Sequence, residues 1–279
     1  MSEGSSTREE RLLRQVSRLG REHALFEPGD RIMVACSGGK DSWAMLHLLR
    51  AHVRRLPFPV SLVAMNLDQG QPGYDPAPLR EHLRAHGFEF HLERQDTYAV
   101  VVDKTPPGKT YCSRCSRMRR AVLHRVADRL GANKISLGHH RDDLIETLLL
   151  NQLFAGRLRA MAAKLPAPPE GGHAIIRPLL GCAEAELAAY AADKAVPILP
   201  CNLCGSQPDA RRQQVKRWLA ALEAQIPDLR QSLAAAAGNV EPGHLLDRRL
   251  LGPEEDTAST STHGSLVQLR SRRMGDFAR

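Results

Sequence analysis

Residues 31–42 read RIMVACSGGKDS. Arg31 to Cys36 is a short apolar run of strand type, Ser37 to Lys40 is a glycine loop, and Trp43, Leu46 and Leu49 continue at helical spacing. A strand that turns through glycines into a helix is the setting in which main chain cradles phosphate. Gly38 and Gly39 let the backbone approach an anion closely. The unpaired amides that open the helix, and the positive end of its dipole, then hold it. Lys40 adds a point charge, and Ser37 and Ser42 add hydroxyl donors. The spacing is neither GxxxxGK[ST] nor GxGxxG, which sets the loop apart from both common nucleotide-binding classes. The plainer alternative is a strand-to-helix turn capped by Ser or Asp.

Working outward from this loop, the pattern alternates strands and helices. An amphipathic helix over 8–25 carries Leu12, Val16 and Leu19 on one side. Apolar runs at 60–67, 88–92, 134–137 and 174–180 predict further strands. Residues 79–86, 142–154, 183–192 and 215–222 predict helices, the last of them basic. This alternation predicts an α/β fold, an open parallel sheet flanked by helices, with a short N-terminal helix and a helical C-terminal region. The expected divisions are an N-terminal helix at 1–28 and a nucleotide-binding domain at 29–200 with an inserted cysteine motif. A C-terminal cysteine motif with basic helices follows at 201–250. Residues 251–279 are rich in Pro, Glu, Ser, Thr and then Arg without a periodic apolar face, and read as a flexible tail.

A second motif, Gly138-His139-His140-Arg141-Asp142-Asp143 with Glu146 and Thr147, falls where another strand gives way to a helix. In open α/β sheets that edge is where ligands bind. Asp142 and Asp143 are placed either to cap the helix or to bind magnesium or the reacting substrate. Asp68, just past the second strand, is a candidate nucleotide contact. SGGKDS resembles the pyrophosphatase loop of the N-type ATP pyrophosphatases, and GHHRDD resembles the GHxxDD element of the same superfamily. The resemblance implies ATP cleaved between its α and β phosphates, an adenine nucleotide alpha hydrolase-like fold, and Mg²⁺. Ser37, Gly38, Gly39, Lys40, Asp41, Ser42, Asp68 and Gly138 become nucleotide contacts. Lys40, Asp41, Asp142 and Asp143 become the catalytic candidates.

The formal net charge of +8 favours an anionic partner, with a solvated basic surface as the alternative. Aromatic residues are only 4%, which argues against an RNA surface built mainly from stacked aromatic rings. No apolar run approaches the ~20 residues a membrane span requires, and the first eleven residues have no signal-peptide core. The expected location is the cytoplasm, where six cysteines are poor candidates for structural disulfides.

Four of those cysteines form two CxxC units, Cys112/Cys115 and Cys201/Cys204. Such pairs suit zinc, an iron–sulfur cluster or a redox disulfide, and the residues alone leave zinc and iron–sulfur level. Cys36 and Cys182 read as small buried hydrophobes. Five stretches taken together resemble the tRNA 2-thiocytidine synthetase family from about residue 29 to residue 250. They are SGGKDS, DQGQPG (68–73), KTYCSRCSRMRR (109–120), LGHHRDDLIETLLLN (137–151) and ILPCNLCGSQPDARRQ (198–213). The resemblance implies thiolation of cytidine 32 in tRNA. It also implies a [4Fe-4S] cluster held by three cysteines: Cys112, Cys115 and one in the PCNLC segment. The register there points to Cys204, with Cys201 the other choice. Three ligands leave one iron open to hold sulfide.

On this reading ATP adenylates the cytosine C2 oxygen, and sulfide displaces AMP. Arginines at 114, 117, 119 and 120, then Arg157, Arg159 and Lys164, and the basic run Arg211, Arg212, Lys216 and Arg217, are the expected RNA contacts. A cysteine desulfurase is the expected sulfur donor, and the reading admits a homodimer. The rivals are a tRNA 2-thiouridine synthetase or other PP-loop tRNA-modifying enzyme, such as a lysidine synthetase, and a zinc-stabilised tRNA-binding module without catalysis. The module would leave both loops without a task.

Overall fold

A computed structural model describes residues 3–104, 112–169, 171–199 and 211–250, with the side chains of 3–6 and 112–114 outside that description. Residues Met1–Gly238 form one compact unit. Its centre is a six-stranded sheet in the order β3-β2-β1-β4-β6-β5. These strands are β1 (Arg31–Ala35), β2 (Ser61–Asp68), β3 (Phe90–Arg94), β4 (Lys134–Ser136), β5 (Lys164–Leu165) and β6 (Ala174–Ile176). All pairings are parallel except the edge pair β5–β6.

Both faces of the sheet are covered, and β1 shows why its sequence is apolar without a break. Ile32 and Val34 face α1 (Glu3–Glu22), α2 (Lys40–Val53) and α7 (Glu184–Asp193), where Leu12, Val16, Trp43, Leu46, Leu187 and Tyr190 complete one core. Met33 faces the other way, joining Val63, Met65 and Ile135 against Val122, Leu123 and Val126 of α5 (Cys112–Arg129). Successive side chains on a strand point to opposite faces, so a strand buried on both faces loses its polar alternation. A third cluster sets Ile145 of α6 (Arg141–Ala155) against Val215 and Leu219 of α8 (Arg211–Glu223) and Leu229 of α9 (Leu229–Ala236).

The expected α/β sheet is the observed one, with shifts at element ends. The first helix stops at Glu22, short of residue 25, because Ala24 turns left-handed at φ 45°. The third strand begins at Phe90 rather than 88, because the Phe88 amide still bonds Leu83 to close α3 (Ala77–Ala85). The strand expected over 174–180 ends at Ile176, where two tight turns carry the chain through Leu180 and Cys182. The two-residue strand β5, the short helix α4 (Tyr98–Asp103) and α9 were not foreseen. A second small unit starts at Asn239 and shows two single-turn 3-10 helices, Pro242–His244 and Arg248–Leu250. No helix among the described residues is long and apolar enough to cross a membrane.

Candidate nucleotide and cluster site

From β1 the chain steps out through β2 to β3, then returns to the other side of β1 as β4. That reversal opens a crevice at the carboxyl ends of β1 and β4, the place where open α/β sheets bind ligands. The two sequence motifs leave the sheet at those two strand ends. A Cβ on Gly138 would lie 3.4 Å from the Ser42 amide nitrogen, so the GHHRDD loop runs directly against the SGGKDS loop. Between them is a cavity of about 320 Å³ whose walls include Ser37, Gly39, Asp41, Ser42, Gly138 and His139.

Gly38 has φ 85°, and a Cβ there would collide with Leu199 at 2.8 Å, so this position needs glycine on two counts. Leu199 donates its amide to the Gly38 carbonyl at 3.0 Å, and Trp43 bonds the Pro197 carbonyl. The chain leading to Cys201 and Cys204 is thereby tied to the phosphate loop. Gly39 is the N-cap of α2 and provides no side-chain cap, which leaves amides at the helix start for an anion. Ser42 donates its hydroxyl back to the Gly39 carbonyl at 2.8 Å and tightens the turn.

Lys40 lies between two carboxylates, Asp41 at 2.9 Å and Glu184 at 2.8 Å. Burial opposes its charge, but the bonds to Glu184 and Asp41 outweigh it and lift its pKa above the ordinary lysine value. Burial likewise opposes the Glu184 charge, and Lys40 reverses that and leaves its pKa lowered. Asp41, His140 and Glu184 each bring one potential ligand atom within 4.8 Å of the others. His140 caps α6 in a reciprocal capping box with Asp143. His139 lines the cavity, and burial pushes its pKa down to about 4, so the ring is neutral at physiological pH. Its Nδ1 has no hydrogen-bond partner among the described residues.

The side wall of the cavity carries Gln69, Gln71 and Tyr74 from the segment after β2, with Arg119 from α5. Beside that wall the buried Cys115 thiol donates to the Gln69 side-chain oxygen at 3.6 Å, and the Arg119 guanidinium lies 3.5 Å from its sulfur. The Cys115 sulfur thus lies between a neutral amide and a guanidinium at the edge of the cavity.

Comparison with known proteins fits this geometry. A PP-loop domain model matches residues 8–198. A tRNA-cytidine(32) 2-sulfurtransferase of Sorangium cellulosum is 50% identical over 240 residues, 86% of this chain and 84% of its own length. One from Colwellia psychrerythraea is 48% identical over 242 residues, 87% of this chain and 77% of its own. The chain belongs to the tRNA-cytidine(32) 2-sulfurtransferase family. It is a transferase of the PP-loop class. Among solved structures, the U34-tRNA thiolase NcsA from Methanococcus maripaludis with its [4Fe-4S] cluster shares the fold. The TM-score is 0.66 at 21% identity, over 85% of this chain and 81% of the thiolase.

In this sulfurtransferase family member, Ser37, Gly39, Asp41, Ser42 and Gly138 line the cavity. Lys40 is held just behind it by Glu184. Asp142 is turned away. Its two oxygens take Arg230 at 2.7 Å and the Glu184 amide at 2.8 Å, so it caps α7 rather than facing the cavity. Asp143 bonds the His140 amide and Arg212. Asp68 caps the Gly70 amide and lines a separate recess with Arg80 and Arg94. Arg119, expected on the RNA surface, lines the cavity instead. The Cys112 side chain, Cys201 and Cys204 lie outside the described residues. Sequence reading passed over Glu184, which looked like an ordinary acid at a helix start. It also gave no role to His139 or Gln69, although both fall inside quoted motifs.

Proposed function

We propose that this protein uses ATP to replace the C2 oxygen of cytidine 32 in tRNA with sulfur. One observation carries the reading: the phosphate loop, the GHHRDD loop, Gln69 and Arg119 surround a single cavity, and the Cys115 sulfur lies behind that wall against Gln69 and Arg119. Activation of a base and delivery of sulfur need that proximity. The relatives named for this reaction, close to 50% identical over most of the chain, support the choice of base.

The amides that open α2, with Lys40, take the triphosphate. Asp41 and Glu184 are the carboxylates that would hold Mg²⁺, and the ion would share the phosphate charge. The cytosine O2 attacks the α-phosphorus, the α–β bond breaks, and pyrophosphate leaves. Sulfide then forms a bond to C2, the C2–O bond breaks, and AMP departs with the original oxygen. The unpartnered Nδ1 of neutral His139 is available to hydrogen-bond the base. Cys112, Cys115 and Cys204 would hold a [4Fe-4S] cluster, for which the buried Cys115 sulfur beside Arg119 is a suitable ligand. When bound, the cluster supplies an iron that can carry sulfide. The [4Fe-4S] cluster of the thiolase of like fold supports a cluster here; the choice of cysteines rests on the sequence motifs. A cysteine desulfurase is the expected source of the sulfur.

The test is nucleoside analysis of tRNA from a deletion strain. 2-Thiocytidine should vanish and return with the wild-type gene. Persistence of 2-thiocytidine with loss of a thiouridine would give the protein the other base. In anaerobically purified protein, Cys112→Ala, Cys115→Ala and Cys204→Ala should lose iron and thiolation together, and Cys201→Ala should keep most of its iron. Stoichiometric zinc without iron would overturn the cluster assignment.

A further inference from the structure

The far end of α6 carries a surface that the proposed chemistry leaves unused. Phe154 and Trp218 are 36% and 48% exposed, with ring centroids 6.3 Å apart and planes inclined by only 16°. The Arg211 guanidinium lies 4.7 Å from the centre of the Phe154 ring. On α8 the roles divide by helix face. Val215 and Leu219 are buried against α6, while Arg212 and Lys216 are taken by Asp143, Glu146 and Glu184. Arg211, Trp218 and Leu222 form the remaining stripe, at positions i, i+7 and i+11. Beyond Gly156, which ends α6 in a left-handed turn, Arg157 and Arg159 are also exposed. Arg157, Arg159, Arg211 and Arg217 have no carboxylate partner among the described residues.

We infer that this patch is a docking surface for single-stranded RNA, with a base stacked on the Phe154–Trp218 pair and the arginines on flanking phosphates. The inference rests on the proposed tRNA substrate and adds where that substrate is held. Charge complementarity decides the occupant. Flat rings combined with unpaired guanidinium groups form the platform on which bases stack without sequence readout. Four cations free of acid partners among the described residues suit a phosphate backbone. The patch is also joined to the reaction site by one helix. α6 starts at the GHHRDD loop and carries Phe154 in its last turn, so about 20 Å of helix separates the cavity from the rings. One RNA can place a nucleotide in the cavity while an unpaired base lies on the patch.

The chain has two tryptophans, and Trp43 is fully buried. Quenching of fluorescence by unmodified tRNA transcript therefore reports Trp218, using full-length, cluster-loaded protein. Wild type should quench on binding, and Trp218→Phe should quench less with nearly intact affinity. Trp218→Ala should bind tRNA about tenfold more weakly. Arg211→Glu with Arg217→Glu should bind more weakly and show a shallower dependence of affinity on salt. ATP affinity should stay at the wild-type value in all of them, which also verifies folding. Unchanged tRNA affinity in both Trp218→Ala and the double arginine variant would overturn the docking surface and leave the proposed reaction standing. Failure of the wild-type protein to bind tRNA at all would remove the proposed function itself. A wild-type dimer that falls apart in Trp218→Ala, with tRNA affinity kept, would mark the patch as a contact between copies and refute the RNA assignment.

Discussion

The two ends of the parallel sheet use the same residue types for opposite purposes. At the amino end, Asp30 and Lys134 are almost wholly buried and paired at 2.7 Å. Asn133 and the Glu27 amide bond the Asp30 carboxylate, and the Leu25 carbonyl and Glu27 accept from Lys134. Every charge there is met by the protein itself. At the carboxyl end, Lys40, Asp41 and Glu184 form a comparable triad but remain partly open beside the cavity. The α2 start has no side-chain cap, and His139 has an unpartnered nitrogen. A buried ion pair whose partners are complete holds strands together, whereas one next to unmet donors is waiting for a ligand.

Removing one member should separate the two ends most sharply at Lys134. Lys134→Ala strands Asp30 as a buried, uncompensated charge and should cost about 3–5 kcal/mol of stability, read by urea unfolding. The matching change at the other end should cost activity instead. Asp41→Ala should lower thiolation by about 100-fold or more, with the melting temperature moved by less than about 4 °C. A large loss of stability in Asp41→Ala would mean that the carboxyl-end triad is structural after all.

Gly38→Ala probes the phosphate loop alone. Its positive φ and the collision with Leu199 should together cost about 1–2 kcal/mol and weaken ATP binding, measured by calorimetry. Gly29 also has a positive φ, but nothing lies within 4 Å of a Cβ there. The Gly29→Ala cost should be smaller and should leave ATP binding alone.

The smallest effect is expected from acid. The Lys134 hydrogen bond holds the Glu27 pKa below its usual 4.5, against an opposing push from burial. A depressed carboxylate pKa contributes stability that is complete above 4.5 and lost as pH falls through the folded value. Glu27 is half exposed, so Glu27→Gln should flatten the stability profile below pH 4.5 by only about 0.5 kcal/mol. An unchanged profile would show that Asp30 alone balances Lys134.

The sequence by itself was enough for what is local. Arg31–Ser42 encodes strand, loop and helix through adjacent residues, since apolar runs, glycine φ preferences and helical spacing act over a few positions. The same holds for the capping loop at Gly138–Asp143 and for the buried Cys36 and Cys182. Short elements escaped this reading. β5 has two residues and exists only because β6 pairs with it, and six-residue α4 is too brief to display a period. Tertiary structure alone decided which groups meet. Lys40 and Glu184 are 144 positions apart, and only the sheet order brings them into contact. Asp142 looks catalytic in its motif, yet α9 supplies Arg230 and α7 supplies an amide that occupy its oxygens. Leu199 falls inside the quoted stretch at 198–213, but nothing in that stretch tells that it closes over Gly38. A side chain's neighbours across the fold follow from strand register and helix packing, and no periodicity within a segment records them.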